Sequence, residues 1–89
     1  MDKLYQMIEQ KLREADYTGE IDVREFHQDI CAAAEGQQNG TDTFIVEKSD
    51  KLSYHICMTI YNFGEDFDLH YVDIYDGDFV YHVDWESGW

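Results

Sequence analysis

The stretch that decides the fold is DIYDGDFVYHVDW, residues 73–85. Apolar and polar side chains alternate on both sides of Asp76-Gly77, a dipeptide that favours a two-residue turn between antiparallel strands. The pattern predicts a β-hairpin in which Tyr75 faces Asp78, with each further pair counted outward from the turn. Because side chains alternate along a strand, one face of this hairpin is apolar and the other is polar.

The two faces of the hairpin have different compositions. The apolar face is predicted to carry Val72, Ile74, Phe79, Tyr81, Val83 and Trp85. The polar face is predicted to carry Tyr71, Asp73, Tyr75, Asp78, His82 and Asp84. Like charges on neighbouring strands destabilise a sheet, and this hairpin has no lysine or arginine to balance its aspartates. We therefore expect the apolar face to cover a core and the polar face to meet positive charge on another molecule.

The strand pattern extends upstream of the hairpin. LSYHICMTIY, residues 52–61, is rich in β-branched and aromatic residues, and NFGED, residues 62–66, joins it to the strand of residues 67–75. TFIVE, residues 43–47, predicts a shorter strand before these. If the alternation continues through NFGED, the core side carries Leu52, Tyr54, Ile56, Met58 and Ile60. His55 and Cys57 then share the polar face with His82, whereas His70 falls on the core side.

Two amphipathic helices precede the strands. Apolar residues recur at helical spacing within residues 3–15. In the next segment Asp22 and Glu25 have the spacing of a capping-box variant, and Gly36 can end the helix. The order predicts an α+β fold in which two N-terminal helices pack on one face of a four-stranded antiparallel β-meander, as a single domain over residues 1–89.

Charge is distributed unevenly along the chain. The formal net charge is -14, from 6 basic and 20 acidic residues in 89. All the lysines and arginines lie within residues 1–51, and residues 52–89 hold eight acidic residues and no basic one. Such an excess repels nucleic acid and anionic membranes and attracts basic proteins. With no long apolar segment, a soluble cytoplasmic protein is expected.

The sequence does not favour catalysis or metal binding. Asp73 and Asp84 could in principle act as an acid-base pair, but that chemistry needs a cleft and one raised pKa. His55 and Cys57 have no evident third group to orient them. With His70 on the opposite face, the histidines and Cys57 do not form a zinc set, and the acidic turns lack calcium-loop spacing. We expect no enzyme, no catalytic residue, no cofactor and no metal site.

The carboxylates instead suggest mimicry of nucleic acid. Alternate residues on a strand repeat at about 6.6 Å, close to two phosphate steps of about 3.4 Å each along DNA. Tyrosines between them can stack on arginine side chains. The predicted partner-binding residues are Glu65, Asp66, Asp68, Tyr71, Asp73, Tyr75, Asp76, Asp78, Asp84 and Glu86.

A short acidic domain with an N-terminal helix, an antiparallel meander and the turns NFGEDFD and DIYDGD resembles the phage-encoded anti-CRISPR proteins that act as DNA mimics. The resemblance implies that the chain occupies the basic DNA-binding surface of an RNA-guided CRISPR nuclease, within a bacterial host cell, and blocks target DNA binding. Phage antirestriction proteins are similar in the same general way. An immunity protein that neutralises a toxin nuclease is an alternative that uses the same electrostatics.

Overall fold

A computed structural model describes residues 3–17, 19 and 21–85 of the chain. Its elements are α1 (Lys3–Glu14), α2 (Val23–Ala34), β1 (Gly40–Glu47), β2 (Leu52–Tyr61), a 3₁₀ turn (Asn62–Gly64), β3 (Asp66–Asp76) and β4 (Phe79–Asp84). Two helices precede a four-stranded antiparallel sheet, which confirms the predicted α+β fold. Within the described ranges, no helix is both long enough and apolar enough to cross a membrane.

The sheet is a meander in the order β1-β2-β3-β4, with antiparallel pairing throughout. β1 begins at Gly40, three residues before the predicted start, because Gly40 pairs with Ile60. One sheet face and the two helices enclose the core. The buried core residues are Ile8, Leu12, Tyr17, Phe26, Ile30, Ala34, Tyr54, Ile56, Met58, Ile60, Leu69, Val72, Ile74, Val83 and Trp85.

Helix α2 begins and packs as its sequence indicates. The Asp22 carboxylate accepts hydrogen bonds from the backbone N–H groups of Arg24 (2.9 Å) and Glu25 (3.4 Å), so it satisfies donors that a helix start leaves unpaired. Phe26 then reaches the sheet and meets the ring of Tyr54 edge-on, with centroids 5.1 Å apart. This contact ties the helix layer to the middle of the sheet.

The predicted register of the β3-β4 hairpin is wrong by two residues. Gly77 and Asp78 form the turn, so Asp76 pairs with Phe79. Gly77 has φ 62°, and glycine at the first central position is typical of a type II′ turn. Its N–H also donates to the Lys51 carbonyl of the neighbouring turn at 2.8 Å. A shift of two keeps each side chain on its predicted face but changes its cross-strand neighbours.

Two side chains lie elsewhere than predicted. Phe79, expected in the core, is 66% exposed because it lies next to the turn at the end of the hairpin. His70, expected on the core side, lies on the opposite face. The register shifts at this point: Met58 pairs with Leu69, whereas Cys57 pairs with Tyr71. The extra residue forms a bulge that buries Leu69 and turns the imidazole away from the core.

Candidate partner-binding face

The sheet face opposite the helices is the candidate site, and we call it the open face. Its carboxylates are Glu47, Asp66, Asp68, Asp73 and Asp84, and its rings are His55, Tyr61, His70, Tyr71, Tyr75 and His82. The strand alternation that buries the core on one side places all of these side chains on the other. Ile45 and Val80, which are 60% and 55% exposed, lie on the same face. The open face therefore combines carboxylates, rings and two exposed apolar side chains.

Asp73 lies at the centre of the open face. It is the cross-strand partner of His55 on β2 and of His82 on β4. Its Oδ1 lies 2.6 Å from His82 Nδ1, so the imidazole donates a hydrogen bond to the carboxylate. Three-quarters of the Asp73 side chain is covered, whereas 60% of the His82 side chain is exposed. The neighbouring side chains therefore hold the central carboxylate in place.

The tyrosines of β3 are held by histidines of the adjacent strands. Tyr75 packs on His55 with ring centroids 4.2 Å apart, and Tyr71 packs on His82 at 4.9 Å. The charge of the Cys57 sulfur, and then its hydrogen bond to the phenol, raise the pKa of Tyr71. The ring contacts give each tyrosine a defined position on the sheet.

The other end of the open face is also hydrogen-bonded. Tyr61 donates to the Asp68 carboxylate at 3.0 Å, and this bond raises the pKa of Tyr61. His70 Nε2 lies 2.7 Å from the Thr59 hydroxyl, which in turn lies 2.6 Å from the Thr41 hydroxyl. These contacts link the side chains across β1, β2 and β3 and order the surface.

Most of the predicted binding residues lie together. Those on the open face are Asp66, Asp68, Tyr71, Asp73, Tyr75 and Asp84. Glu65 and Asp78 are exposed in the turns at opposite ends of β3. Glu86 lies outside the described residues.

Asp76, predicted to lie in the turn, is instead the last residue of β3, and its side chain lies on the helix side of the sheet. Its Oδ2 accepts a hydrogen bond from the Tyr17 hydroxyl at 3.1 Å. Burial, with the hydrogen bond and the charge of Asp76 adding to it, raises the pKa of Tyr17 to about 12. Asp76 therefore belongs to the contact between the helices and the hairpin.

Sequence reasoning missed two members of the open face. Glu47 lies opposite Ser53, a position that strand alternation in TFIVE could have predicted. His70 was assigned to the wrong face because the bulge interrupts the alternation. The apolar residues Phe67 and Leu69 at odd positions were the available signal, since both pack toward the core.

The basic residues lie outside the four strands that form the open face. Lys3, Lys11, Arg13 and Arg24 are on the helices, and none of the four strands contains a lysine or arginine. Lys48 forms ion pairs with Glu25 and Asp29 of α2, and hydrogen bonds to these two carboxylates, Glu25 first, raise the pKa of Lys48. Lys51 lies in the β1-β2 turn, beside an open concavity that Tyr75 and Asp78 also line. The sign of charge is thus separated in space as well as along the chain.

The histidines and carboxylates of the open face are not arranged as metal ligands. Among residues 3–17, 19 and 21–85, no three His, Cys, Asp or Glu side chains are grouped so that they could hold a metal ion. Each of the three imidazoles instead contacts a side chain on a neighbouring strand, namely Tyr75, Thr59 or Asp73. The side chains of this surface can form ion pairs, hydrogen bonds and stacking contacts.

Comparison of the chain with protein-family models, with curated proteins and with solved structures gives no match. The inference about function therefore depends on the geometry and charge of the open face.

Proposed function

We propose that the protein is a stoichiometric inhibitor that mimics nucleic acid and binds through its open face to a basic nucleic-acid-binding surface of another protein. The target we propose is an RNA-guided CRISPR nuclease, whose binding to target DNA would be blocked. The observation that carries the proposal is the separation of charge: five carboxylates and no lysine or arginine lie on the open face.

The carboxylates have spacings that suit a phosphate-binding surface. Asp66 and Asp68 are alternate residues of β3, so they repeat at about 6.6 Å along the strand, near two phosphate steps of DNA. Asp73 and Asp84 continue the negative charge onto the centre of the sheet and onto β4. Since a sheet keeps its side chains at fixed positions, little conformational entropy is lost when a partner binds.

Net charge favours rapid association with a basic target. A protein of charge -14 produces a long-range attraction toward a channel lined by lysine and arginine. The nucleic-acid channels of RNA-guided nucleases are positively charged and hold the nucleic acid mainly by its backbone. The resemblance to anti-CRISPR proteins in size, charge and element order is the reason for proposing this class of target.

Mutual exclusion with DNA tests the proposal. A panel of guide-loaded CRISPR nucleases is titrated with the protein while the affinity for labelled target DNA is measured by fluorescence anisotropy. We expect at least one nuclease to bind its target DNA more weakly when the protein is present. The preformed complex of that nuclease with DNA should in turn fail to bind the protein, because linkage between two ligands is reciprocal.

The same assay separates the proposed function from its competitors. A stable ternary complex with unchanged DNA affinity would place the contact away from the DNA-binding surface and contradict mimicry. If the protein inhibited toxin nucleases or restriction enzymes and had no effect on the guide-loaded nucleases, the proposed target would be wrong. The proposal that the protein mimics nucleic acid would still hold.

A further inference from the structure

We propose that Tyr71 and Tyr75 are docking points for two arginine side chains of the partner, so that the open face selects arginine-rich over lysine-rich surfaces. This inference rests on the proposed function and specifies the chemistry of the partner. The two tyrosines are four residues apart on β3, which places them about 13 Å apart along the strand. Two arginines at a similar separation on the partner would fit them.

Each tyrosine ring is supported from one side. His55 lies against Tyr75 and His82 lies against Tyr71, at centroid distances of 4.2 and 4.9 Å. Tyr75 is 36% exposed, and Tyr71 is partly exposed. A ring that a neighbour already holds loses little side-chain entropy when a planar cation stacks on its exposed surface.

Carboxylates lie beside both rings. Asp73 is two residues from each tyrosine along β3, at about 6.6 Å. Asp84 is the cross-strand partner of Tyr71, and directly opposed side chains have Cβ atoms about 5 Å apart. A cation stacked on either ring therefore also comes within reach of a negative charge.

This combination distinguishes the two basic side chains. A guanidinium group is planar, stacks on aromatic faces and donates two parallel hydrogen bonds to one carboxylate. An ammonium group is compact and strongly hydrated, so it gains mainly from the carboxylate charge. The tyrosines should supply the preference for arginine, whereas the carboxylates should attract both cations.

Oligoarginine and oligolysine peptides of eight residues provide the test, since they carry the same charge. Their dissociation constants are measured by isothermal titration calorimetry in one buffer of fixed salt concentration. We expect the wild-type protein to bind oligoarginine at least about fivefold more tightly, given two cation-π contacts of moderate exposure. The double variant Tyr71→Leu/Tyr75→Leu should lose this preference and keep its affinity for oligolysine.

Two comparisons make the result specific. Phe63→Leu removes a ring that is 67% exposed in the turn between β2 and β3, away from the open face, and should leave the preference unchanged. Asp73→Asn/Asp84→Asn should weaken the binding of both peptides. If the double leucine variant does not fold, Tyr75→Leu alone should reduce the preference by about half on a logarithmic scale, since it removes one of two contacts.

Two results would overturn the arginine inference while the proposed function stands. One is that the wild-type protein binds the two peptides with equal affinity, and the other is that the preference for oligoarginine survives the loss of both tyrosines. Failure of both peptides to bind would also overturn the arginine inference, whereas the proposed function is decided by the DNA-competition assay.

Discussion

Asp73 and His82 face each other across β3 and β4, and their side chains form a hydrogen bond of 2.6 Å. The turn at Gly77-Asp78 brings them together, whereas a turn at Asp76-Gly77 would have placed Val80 opposite the carboxylate. The contact is therefore a direct test of the hairpin register.

A double-mutant cycle with Asp73→Asn and His82→Gln should give a coupling energy of about 0.2–1 kcal/mol, because a partly exposed ion or hydrogen-bonded pair contributes no more than this. Urea unfolding of the four proteins at pH 7 measures it. The fold should survive in all four. A coupling energy below about 0.2 kcal/mol would contradict a stabilising contact between these two side chains.

The Tyr17-Asp76 contact predicts a loss of stability at high pH. Burial and the neighbouring carboxylate raise the pKa of Tyr17 to about 12, above the ordinary value of 10.0. Between these values the unfolded chain binds fewer protons than the folded one, so the free energy of unfolding falls as the pH rises from about 10 to 12. Burial raises the pKa of Tyr54 to about 12 in the same way. Tyr17→Phe should flatten this pH dependence, and Tyr17→Phe/Tyr54→Phe should flatten it further, in urea unfolding between pH 9 and 12. Equal slopes in the wild type and the double variant would contradict the raised pKa values.

The element order and the two faces of the sheet could be predicted from sequence because each depends on local pattern. Helical spacing in LYQMIEQKL and strand alternation in LSYHICMTIY require no knowledge of distant contacts. The polar and apolar faces of the hairpin from Tyr71 onward also survived the error in register, since a shift of two residues preserves the alternation. The concentration of carboxylates on the open face could be predicted for the same reason.

The cross-strand neighbours could not be predicted because they depend on single residues acting at a distance. The N–H of Gly77 bonds to Lys51, in a turn 26 positions away in sequence, and this contact accompanies a turn one residue later than the dipeptide indicates. Asp76 thereby becomes a strand residue on the helix side, where Tyr17 binds it. The bulge at His70 likewise follows from burial of Leu69, and its only trace in the sequence is that apolar residues change from odd to even positions along β3.

Gly64 should be intolerant of any side chain. Its φ is 97°, and a Cβ added there would collide with the Ala34 carbonyl at the end of α2. Gly64→Ala should therefore cost about 2–4 kcal/mol in the free energy of unfolding, from backbone strain and steric overlap together. Gly36→Ala is the matched control, since Gly36 also has positive φ, at 74°, but an added Cβ meets nothing within 4 Å. Strain alone should cost that variant about 1 kcal/mol. If thermal or urea unfolding showed that the two variants lose equal free energy of unfolding, the contact between the 3₁₀ turn and α2 could not be tight.

The positive charge of Lys51 should slow the association of the wild-type protein with a basic partner. It lies at the turn end of the sheet, where Glu47, Tyr75 and Asp78 line the same concavity. Lys51→Gln removes a positive charge beside the open face, so association with oligoarginine or a basic target should become a few-fold faster. Lys11→Gln on α1 makes the same change in net charge on the helix side and should have a smaller effect. Stopped-flow association rates at low salt compare the two variants, and a larger gain from Lys11→Gln would place the binding surface on the helices.

Two charge-matched sets of substitutions locate the binding surface most directly. Asp68→Asn/Asp73→Asn/Asp84→Asn removes three negative charges from the open face, and Glu9→Gln/Glu14→Gln/Asp16→Asn removes three from α1 and the turn that follows it. Both sets raise the net charge by three, so general electrostatic attraction changes equally, and only the position of the charges differs.

We expect the open-face set to weaken binding to the target roughly a hundredfold, because truncating a buried interfacial charge costs about 2–5 kcal/mol whereas a rim charge mainly alters the association rate. The α1 set should weaken binding less than about threefold, since its charges lie near Lys11 and Arg13 and one of them, Glu9, already pairs with Arg13. Surface plasmon resonance with the immobilised target measures both, and thermal unfolding checks that each variant folds. If the α1 set abolished binding while the open-face set preserved it, the partner would have to contact the helix layer, and the rings and carboxylates of the sheet would need another explanation.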